Sequence, residues 1–415
     1  MAEVYLVGAY STRFAKMPER SYKDLTREAY EGVLADAALP DGRAIEMAWF
    51  GNCSMHTVGQ GNIRGQVCMT PLVREGRFPE RVPTINVEGG CATASFAFHG
   101  AWKDVLSGQS HCSLAIGVEK IFTKDEAKLK ESFDGAIDQF DSEEWLTYYA
   151  RAGGEAGKAF EPGPGRTIFM DTYAMQAAYH MKRWGTTQAQ IAAGAAKNHN
   201  HAVDNDLAQY RFPMTVEQVM QDRPVTFPFT RAMCAPIGDG AAAALLCSGE
   251  FLKGLDPKTR DRAIKVRASA LSGGKYRRLD EPGLSRIAAD KAYRMAGISP
   301  DDIDLAEVHD ATSFCEIYQA EMLRFCPEGQ GGAYVASGAT TRGGETPINV
   351  SGGLVSKGHP VGATGLSMID ELARQLRGEA GKRQVDGARI ALAENGGGVI
   401  GFDEAACSVI VLERG

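Results

Sequence analysis

Apolar residues along the chain alternate or fall at helical spacing in two stretches that share one order of elements. Near the start, VYLVGAYSTRF (4–14) reads as a strand and loop, LTREAYEGVLADA (25–37) as a helix, and IEMAWFGNC (45–53) as a second strand. TINVEGGC follows, then a helix over 92–108 that Gly108 should close, then the strand HCSLAIGVEKI (111–121). Later, IKVRASALSGG (264–274) reads as a strand, GLSRIAADKAYRMAG (283–297) as a helix, and DIDLAEVHDAT (302–312) as a strand with its loop. TPINVSGG follows, then a helix over 363–379 and the closing strands ARIALAENGGG (388–398) and AACSVIVLE (405–413). The intervening residues 122–235 are mostly helix-like, with loops rich in Gly, Pro and acidic residues. DTYAMQAAYHMKRWG (171–185) is the clearest helix there, and PIGDGAAAALLCS (236–248) returns to a buried strand.

The two stretches also share a phrase. Residues 85–91 read INVEGGC and residues 348–354 read INVSGGL, a match at five of the first six letters, 263 positions apart. Setting Ala92-Thr93 against Ala363-Thr364 leaves eight extra residues in the second copy, and these contain Gly358-His359-Pro360. The pattern predicts an α/β protein of two duplicated halves, 1–121 plus 231–260 and 261–415, with a helical cap inserted at 122–230. Buried strands in duplicated βα units predict parallel-rich sheets covered by helices on both faces. Loops at equivalent switch points would then face one cleft, which is a reason to write the phrase twice.

The length of 415 residues suits two to three domains, and 44% hydrophobic with 23% charged residues suits a sizeable core. A net charge of −7 without a Lys- or Arg-rich run argues against a nucleic acid or anionic membrane as partner. The nine cysteines are odd in number and form no CxxC; no secretory leader or long apolar run is seen, so a reduced, cytoplasmic protein is expected. No metal is expected, because His199 and His201 in KNHNHAVDND have no cysteines at ligand spacing.

Four residues could carry chemistry. Cys91 follows Gly89-Gly90 and opens a helix, whose N-terminus favours a thiolate and offers N–H groups to an oxyanion. His359 lies in a Gly- and Pro-bounded loop, and His309 ends the strand LAEVHD. Glu394 precedes Asn395-Gly396-Gly397-Gly398 and could serve as a general base. Each is by itself equally at home as a structural residue, but a Cys with His at switch loops is the minimum set for covalent acyl transfer. Tyr173, Trp184 and Phe229 read as core residues of the cap.

NVEGGCATAS, VHDATSF and NVSGGLVSKGHPVGATG together resemble the motifs of the thiolase superfamily, nearest to its sterol-carrier-protein type. KNHNHAVDNDLAQY and APIGDGAAAAL are also similar to family segments, so the resemblance runs over nearly the whole chain. It implies a five-layered αβαβα fold of two similar halves with a loop domain, usually a homodimer. It implies that Cys91 is acylated, that His359 activates it, and that His309 helps form an oxyanion site. It places Asn349 and Asp310 in the supporting network and the N–H groups of Cys91 and Gly396 at a second oxyanion site.

The departures concern the second catalytic cysteine of thiolases. Glu394-Asn395-Gly396 stands where the late Cys-x-Gly is expected, and His309-Asp310-Ala311-Thr312 where His-Asp-Cys-Phe is expected; Cys315 lies four residues past the latter cysteine. The reading is an acyl-CoA acyltransferase that forms an acyl-enzyme on Cys91 and makes or cleaves a β-ketoacyl-CoA carbon–carbon bond. Coenzyme A thioester is its substrate, and no tightly bound cofactor is expected. Glu394 or a histidine would replace the missing cysteine. One alternative is a retro-aldolase on acyl-CoA side chains working with a small OB-fold, zinc-ribbon partner. Another is a non-catalytic lipid- or acyl-CoA-binding subunit.

Overall fold

The computed structural model describes residues 3–163 and 165–415. The N-terminal elements are β1 (Val4–Ser11), α1 (Tyr22–Asp36), β2 (Met47–Gly51), α2 (Arg64–Arg74), β3 (Thr84–Val87), α3 (Thr93–Ser107) and β4 (Cys112–Lys120). Next come α4 (Glu126–Asp134), α5 (Ser142–Ala156), α6 (Ile168–Trp184), α7 (Gln188–Ala202), α8 (Val216–Gln221) and the ribbon β5 (Pro224–Thr226) with β6 (Phe229–Thr230). Then follow β7 (Asp239–Ser248), α9 (Gly249–Lys253), α10 (Pro257–Asp261), β8 (Ile264–Gly273) and α11 (Leu284–Ala296). The chain ends with β9 (Leu305–Glu307), α12 (Ser313–Met322), α13 (Gly331–Ala336), α14 (Thr364–Arg377), β10 (Ile390–Gly397) and β11 (Ala406–Arg414).

Gly108 and Gly185 close α3 and α6 as their sequences predict, with φ of 77° each, and Gly297 and Gly378 close α11 and α14 in the same way with φ of 66° and 74°. DIDLAEVHDAT forms only a three-residue strand. After Glu307 the ladder stops because side chains take its amides: Val308 N–H donates to Asn349 Oδ1 (2.8 Å) and His309 N–H to Glu394 Oε2 (3.1 Å). That exchange releases His309 from the sheet.

The nine strands of the main sheet order as β3-β2-β4-β7-β1-β8-β11-β10-β9, and the two half-sheets pair at Tyr5↔Lys265 and Leu6↔Ile264. Ile348 bridges Ala306 in parallel, just as β3 runs parallel to β2. Both copies of INV therefore occupy the outer position of their half-sheet, and the duplication is spatial as well as written. The sheets are mixed, not parallel-rich. β4–β7, β7–β1, β8–β11 and β11–β10 are antiparallel, because β10 turns into β11 without a crossover helix and β7 re-enters after the long insertion.

Period-two alternation sorts the strands between cores. On β7, Ala241, Ala243, Leu245 and Cys247 face an outer core with α1 and α2, while Ala242, Ala244 and Leu246 face a middle core with α3 and α14. On β11, Cys407, Val409 and Val411 face α11, while Ile410 and Leu412 face the middle. Helix, sheet, helix, sheet, helix gives the five-layered thiolase-like arrangement. In the insertion Phe229 is buried as expected, but Trp184 is 44% exposed, since it ends α6 at the surface with Arg183 stacked over its ring.

The middle layer is tight. A Cβ on Gly117 of β4 would lie 2.1 Å from the Gly362 carbonyl oxygen, a backbone atom that cannot rotate away. Gly117→Ala should cost about 1–3 kcal/mol by overpacking, whereas Gly135→Ala, which meets nothing within 4 Å, should not. Urea unfolding of the two variants checks this, and equal midpoints would contradict it.

Candidate active site

The first phrase ends in a turn that delivers Cys91. Gly90 has φ of 56°, and a Cβ there would meet the Gly398 nitrogen at 2.4 Å, so only glycine fits. Thr93 locks the turn: its Oγ1 accepts from Gly89 N–H (2.9 Å) and donates to the Gly90 carbonyl (2.7 Å). Asn395 Nδ2 donates to the Cys91 carbonyl (3.0 Å) and to Ser95 Oγ (3.1 Å), tying the turn to β10. Cys91 is left half-buried, with its sulfur receiving its own N–H and that of Gly398. Gly396 lies two residues back, paired opposite Cys407 in the β10–β11 ladder. The amide that reaches the sulfur is thus that of Gly398, beside the Gly396 amide that the resemblance assigns to an oxyanion.

The second phrase delivers His359. Its loop is held by α7, the KNHNHAVDND helix. Lys197 Nζ donates to the Ile348 carbonyl, a ring nitrogen of His201 bonds the Asn349 carbonyl (3.1 Å), and Asn205 Nδ2 donates to the Ser351 carbonyl (2.8 Å). Asp310 Oδ1 accepts from Leu354 N–H (2.6 Å) and its Oδ2 from Asn198 Nδ2 (2.8 Å). Asn349 and Asp310 therefore brace the loop, and both are fully buried. Glu119 joins the halves, accepting from Cys53 N–H (3.0 Å) beside the first turn and Gly362 N–H (3.2 Å) beside the second.

These loops bring Cys91 Sγ and one ring nitrogen each of His309 and His359 within 4.8 Å of one another. The hydrogen bonds assign the proton on His359. Thr364 Oγ1 spends its single hydrogen on the Pro360 carbonyl (3.1 Å), so the 2.7 Å contact from His359 Nδ1 must carry the ring's proton. His359 Nε2 is left unprotonated and without a partner. Burial and the neighbouring His309 ring push its basicity well down, and burial alone pushes His309 down to about 4. Both are neutral imidazoles at pH 7, and neither nitrogen of His309 has a protein partner. Buried unpartnered nitrogens are costly, and at a cleft they await a ligand atom.

Cys91 is a thiol. Burial first, then the Glu404 charge, push it up to about 12, against the lowering by the Gly398 N–H and its own. The thiolate expected from its helix-opening position is thus not the resting form, because desolvation outweighs two N–H groups. The same three atoms form a Cys-His-His set at the spacing a soft cation such as zinc would require, and no fourth ligand atom joins them among the described residues.

Glu394 is fully buried, and both of its oxygens are engaged: Oε2 with His309 N–H and Oε1 with Cys407 Sγ (3.4 Å). Burial and then Glu404 push it up to about 8, so it is largely protonated at pH 7. Two residues escaped the sequence reading. Glu404, half-buried, lies on Gly396; Tyr173 packs against the cap core as expected, but its nearness to Cys315, Glu404, Cys91 and Glu394 was not foreseen. Glu404 lies beyond the glycines in a turn with no periodic pattern, and a lone Tyr on a helix carries no signal. Cys315, buried in the first turn of α12 against Thr312 Oγ1 (3.3 Å), lines the same wall, and burial holds it as a thiol.

The family models for the thiolase N-terminal domain and the thiolase C-terminal domain-like region match residues 4–227 and 282–413. The chain is 36% identical to an acetyl-CoA acetyltransferase of Methanothermobacter thermautotrophicus over 406 residues, 97% of this chain and 98% of that protein. It is 36% identical to human sterol carrier protein 2 over 431 residues, 98% of this chain and 74% of that protein. Its fold matches the Ltp2-ChsH2(DUF35) aldolase structure at a TM-score of 0.78 with 21% identity, covering 99% of this chain and 98% of that one.

Because the resting group is a thiol, iodoacetamide alkylation of Cys91 should rise about tenfold per pH unit from 7 to 9 without levelling. Peptide mass spectrometry reads the rate, and a plateau already reached at pH 7 would reveal a resident thiolate.

Proposed function

The chain is an acyltransferase of the thiolase family, and we propose that it forms an acyl-enzyme on Cys91 and joins or splits a β-ketoacyl-CoA carbon–carbon bond. The observation that carries this reading is the unprotonated, unpartnered Nε2 of His359 in a cluster with the Cys91 thiol. A neutral base beside a neutral thiol needs no charge in the apolar site until substrate arrives. His359 Nε2 takes the Sγ proton as the sulfur attacks the thioester carbonyl. The oxyanion forms where the N–H groups of Cys91 and Gly398 converge. The bond from that carbon to the coenzyme A sulfur breaks, and the leaving thiolate takes the proton from His359. His309, with both ring nitrogens free, receives the carbonyl oxygen of the second thioester.

Coenzyme A thioester is a substrate in this reading, and the working unit is a homodimer. Among the described residues, no helix is long and apolar enough to cross a membrane. The missing second cysteine is what favours a competing lyase reaction, which would bypass acylation and work with an OB-fold partner.

Mixing the protein with acetyl-CoA and longer acyl-CoAs should add the acyl mass, with the adduct on Cys91 and absent from Cys91→Ala. His359→Ala should slow its formation by about 10²–10⁴-fold. Intact-protein mass spectrometry reads both. Carbon–carbon cleavage by Cys91→Ala at the wild-type rate would replace acyl transfer with the lyase.

A further inference from the structure

Acylation accounts for Cys91 and His359, but the second half-reaction needs a group that removes a proton from the α-carbon of the incoming thioester. Glu394 occupies the position of the missing cysteine, yet its oxygens already receive His309 N–H and Cys407 Sγ, and no solvent reaches it. Moving it would release the loop that carries His309.

Glu404 differs on each count. It is half-buried, and among the described residues its carboxylate accepts from its own backbone N–H alone. Its side chain lies on bare backbone: a Cβ at Gly396 would meet its Cγ at 2.6 Å, its Cδ at 2.8 Å and its Oε1 at 3.0 Å. The next glycine holds the nucleophile, since a Cβ at Gly397 would meet Cys91 N at 2.4 Å. Adjacent glycines of one strand end thus seat the carboxylate and the thiol turn on its two faces, and the Glu404 charge still reaches the Cys91 thiol around that end.

The backbone that presents Glu404 is rigid. Gly274 N–H donates to the Ala405 carbonyl (3.1 Å), and a Cβ on Gly274 would lie 1.9 Å from the Glu404 carbonyl oxygen. The preceding Asp403 pairs with buried Arg277 at 2.8 Å and accepts from Leu284 N–H at 3.1 Å. Arg277 is thereby committed to Asp403, and Glu404 has no ion-pair partner among the described residues.

We propose that Glu404 is the acid–base group of the carbon–carbon step, standing in for the absent second cysteine. The inference rests on the acyl-transfer reading. The Glu404 carboxylate takes a proton from the α-carbon of the second acyl-CoA, whose carbonyl oxygen rests against His309. The carbon's electron pair attacks the acyl carbon on Cys91, forming the C–C bond. The acyl carbon–Sγ bond breaks, and the departing Cys91 thiolate takes up the proton from the Glu404 carboxyl. Two thioesters thus yield one β-ketoacyl-CoA and one free coenzyme A, whose thiol proton left Cys91 during acylation. Burial and the Asp403 charge hold Glu404 up to about 7, near the working pH where a proton carrier is most effective.

The test separates the half-reactions. Wild type, Glu404→Gln and Glu394→Gln are incubated with acetyl-, butyryl- and phenylacetyl-CoA in D2O. Mass spectrometry follows α-deuteration of the recovered thioester and acylation of Cys91 in parallel. Glu404→Gln should acylate Cys91 as wild type does, which also shows that it is folded, and should lose α-exchange by about 10²-fold or more. Exchange at the wild-type rate in Glu404→Gln, or no exchange by wild type with any of the three thioesters, overturns the proposal. Failure of wild type to acylate would sink the acyl-transfer reading instead, and the exchange rates would still decide the part played by Glu404.

Discussion

Backbone meeting backbone without an intervening side chain is the constraint on which this molecule depends. Gly90 abuts Gly398, Gly397 abuts the Cys91 turn, and Gly117 abuts the Gly362 carbonyl. A methyl group at any of these points would collide with atoms that cannot rotate away. The two halves share little of their sheet hydrogen bonding, two residue pairs between β1 and β8, so their relative placement is fixed through these glycines and the middle apolar layer. Catalysis inherits that precision: the thiol comes from one half, and the histidines and carboxylates from the other.

Buried charge is arranged around the same axis. Glu119 collects amides from both loops, and Lys357 is buried beside the carboxylates of Glu307 and Glu371 under the His359 loop. Arg277 and Asp403 hold the turn beneath Glu404. Such groups cost desolvation energy, and removing one partner leaves the other stranded. They act as positioning elements, while at the site both ring nitrogens of His309 and Nε2 of His359 are without a hydrogen-bond partner among the described residues.

Much was legible beforehand. Periodicity and glycine stops located most helices and strands, since apolar spacing and φ > 0 terminators are local properties. The repeated INV-x-GG phrase exposed the duplication; Cys91 and His359 stood out beside Gly and Pro turns, and His309 at the end of a strand. The antiparallel pairings were not legible, because strand direction follows from how long connections run in space. Nor was the Gly398 amide: local spacing cannot show which of three successive glycines tilts its N–H toward a sulfur.

By itself the sequence determined the main elements, the twofold construction, the family, and Cys91, His309 and His359 as the candidate set, because each is written in spacing or in a local motif. The tertiary structure alone decided the protonation states and the division of labour among the carboxylates. Cys91 is a thiol because burial strips it of water and Glu404 lies near, and His359 keeps Nε2 free because Thr364 already donates to Pro360. Glu394, at the motif position, is tied down, while Glu404, ten residues later across a hairpin, is free. Burial and hydrogen-bond partners are properties of neighbours brought from distant parts of the chain, and no spacing along the chain encodes them.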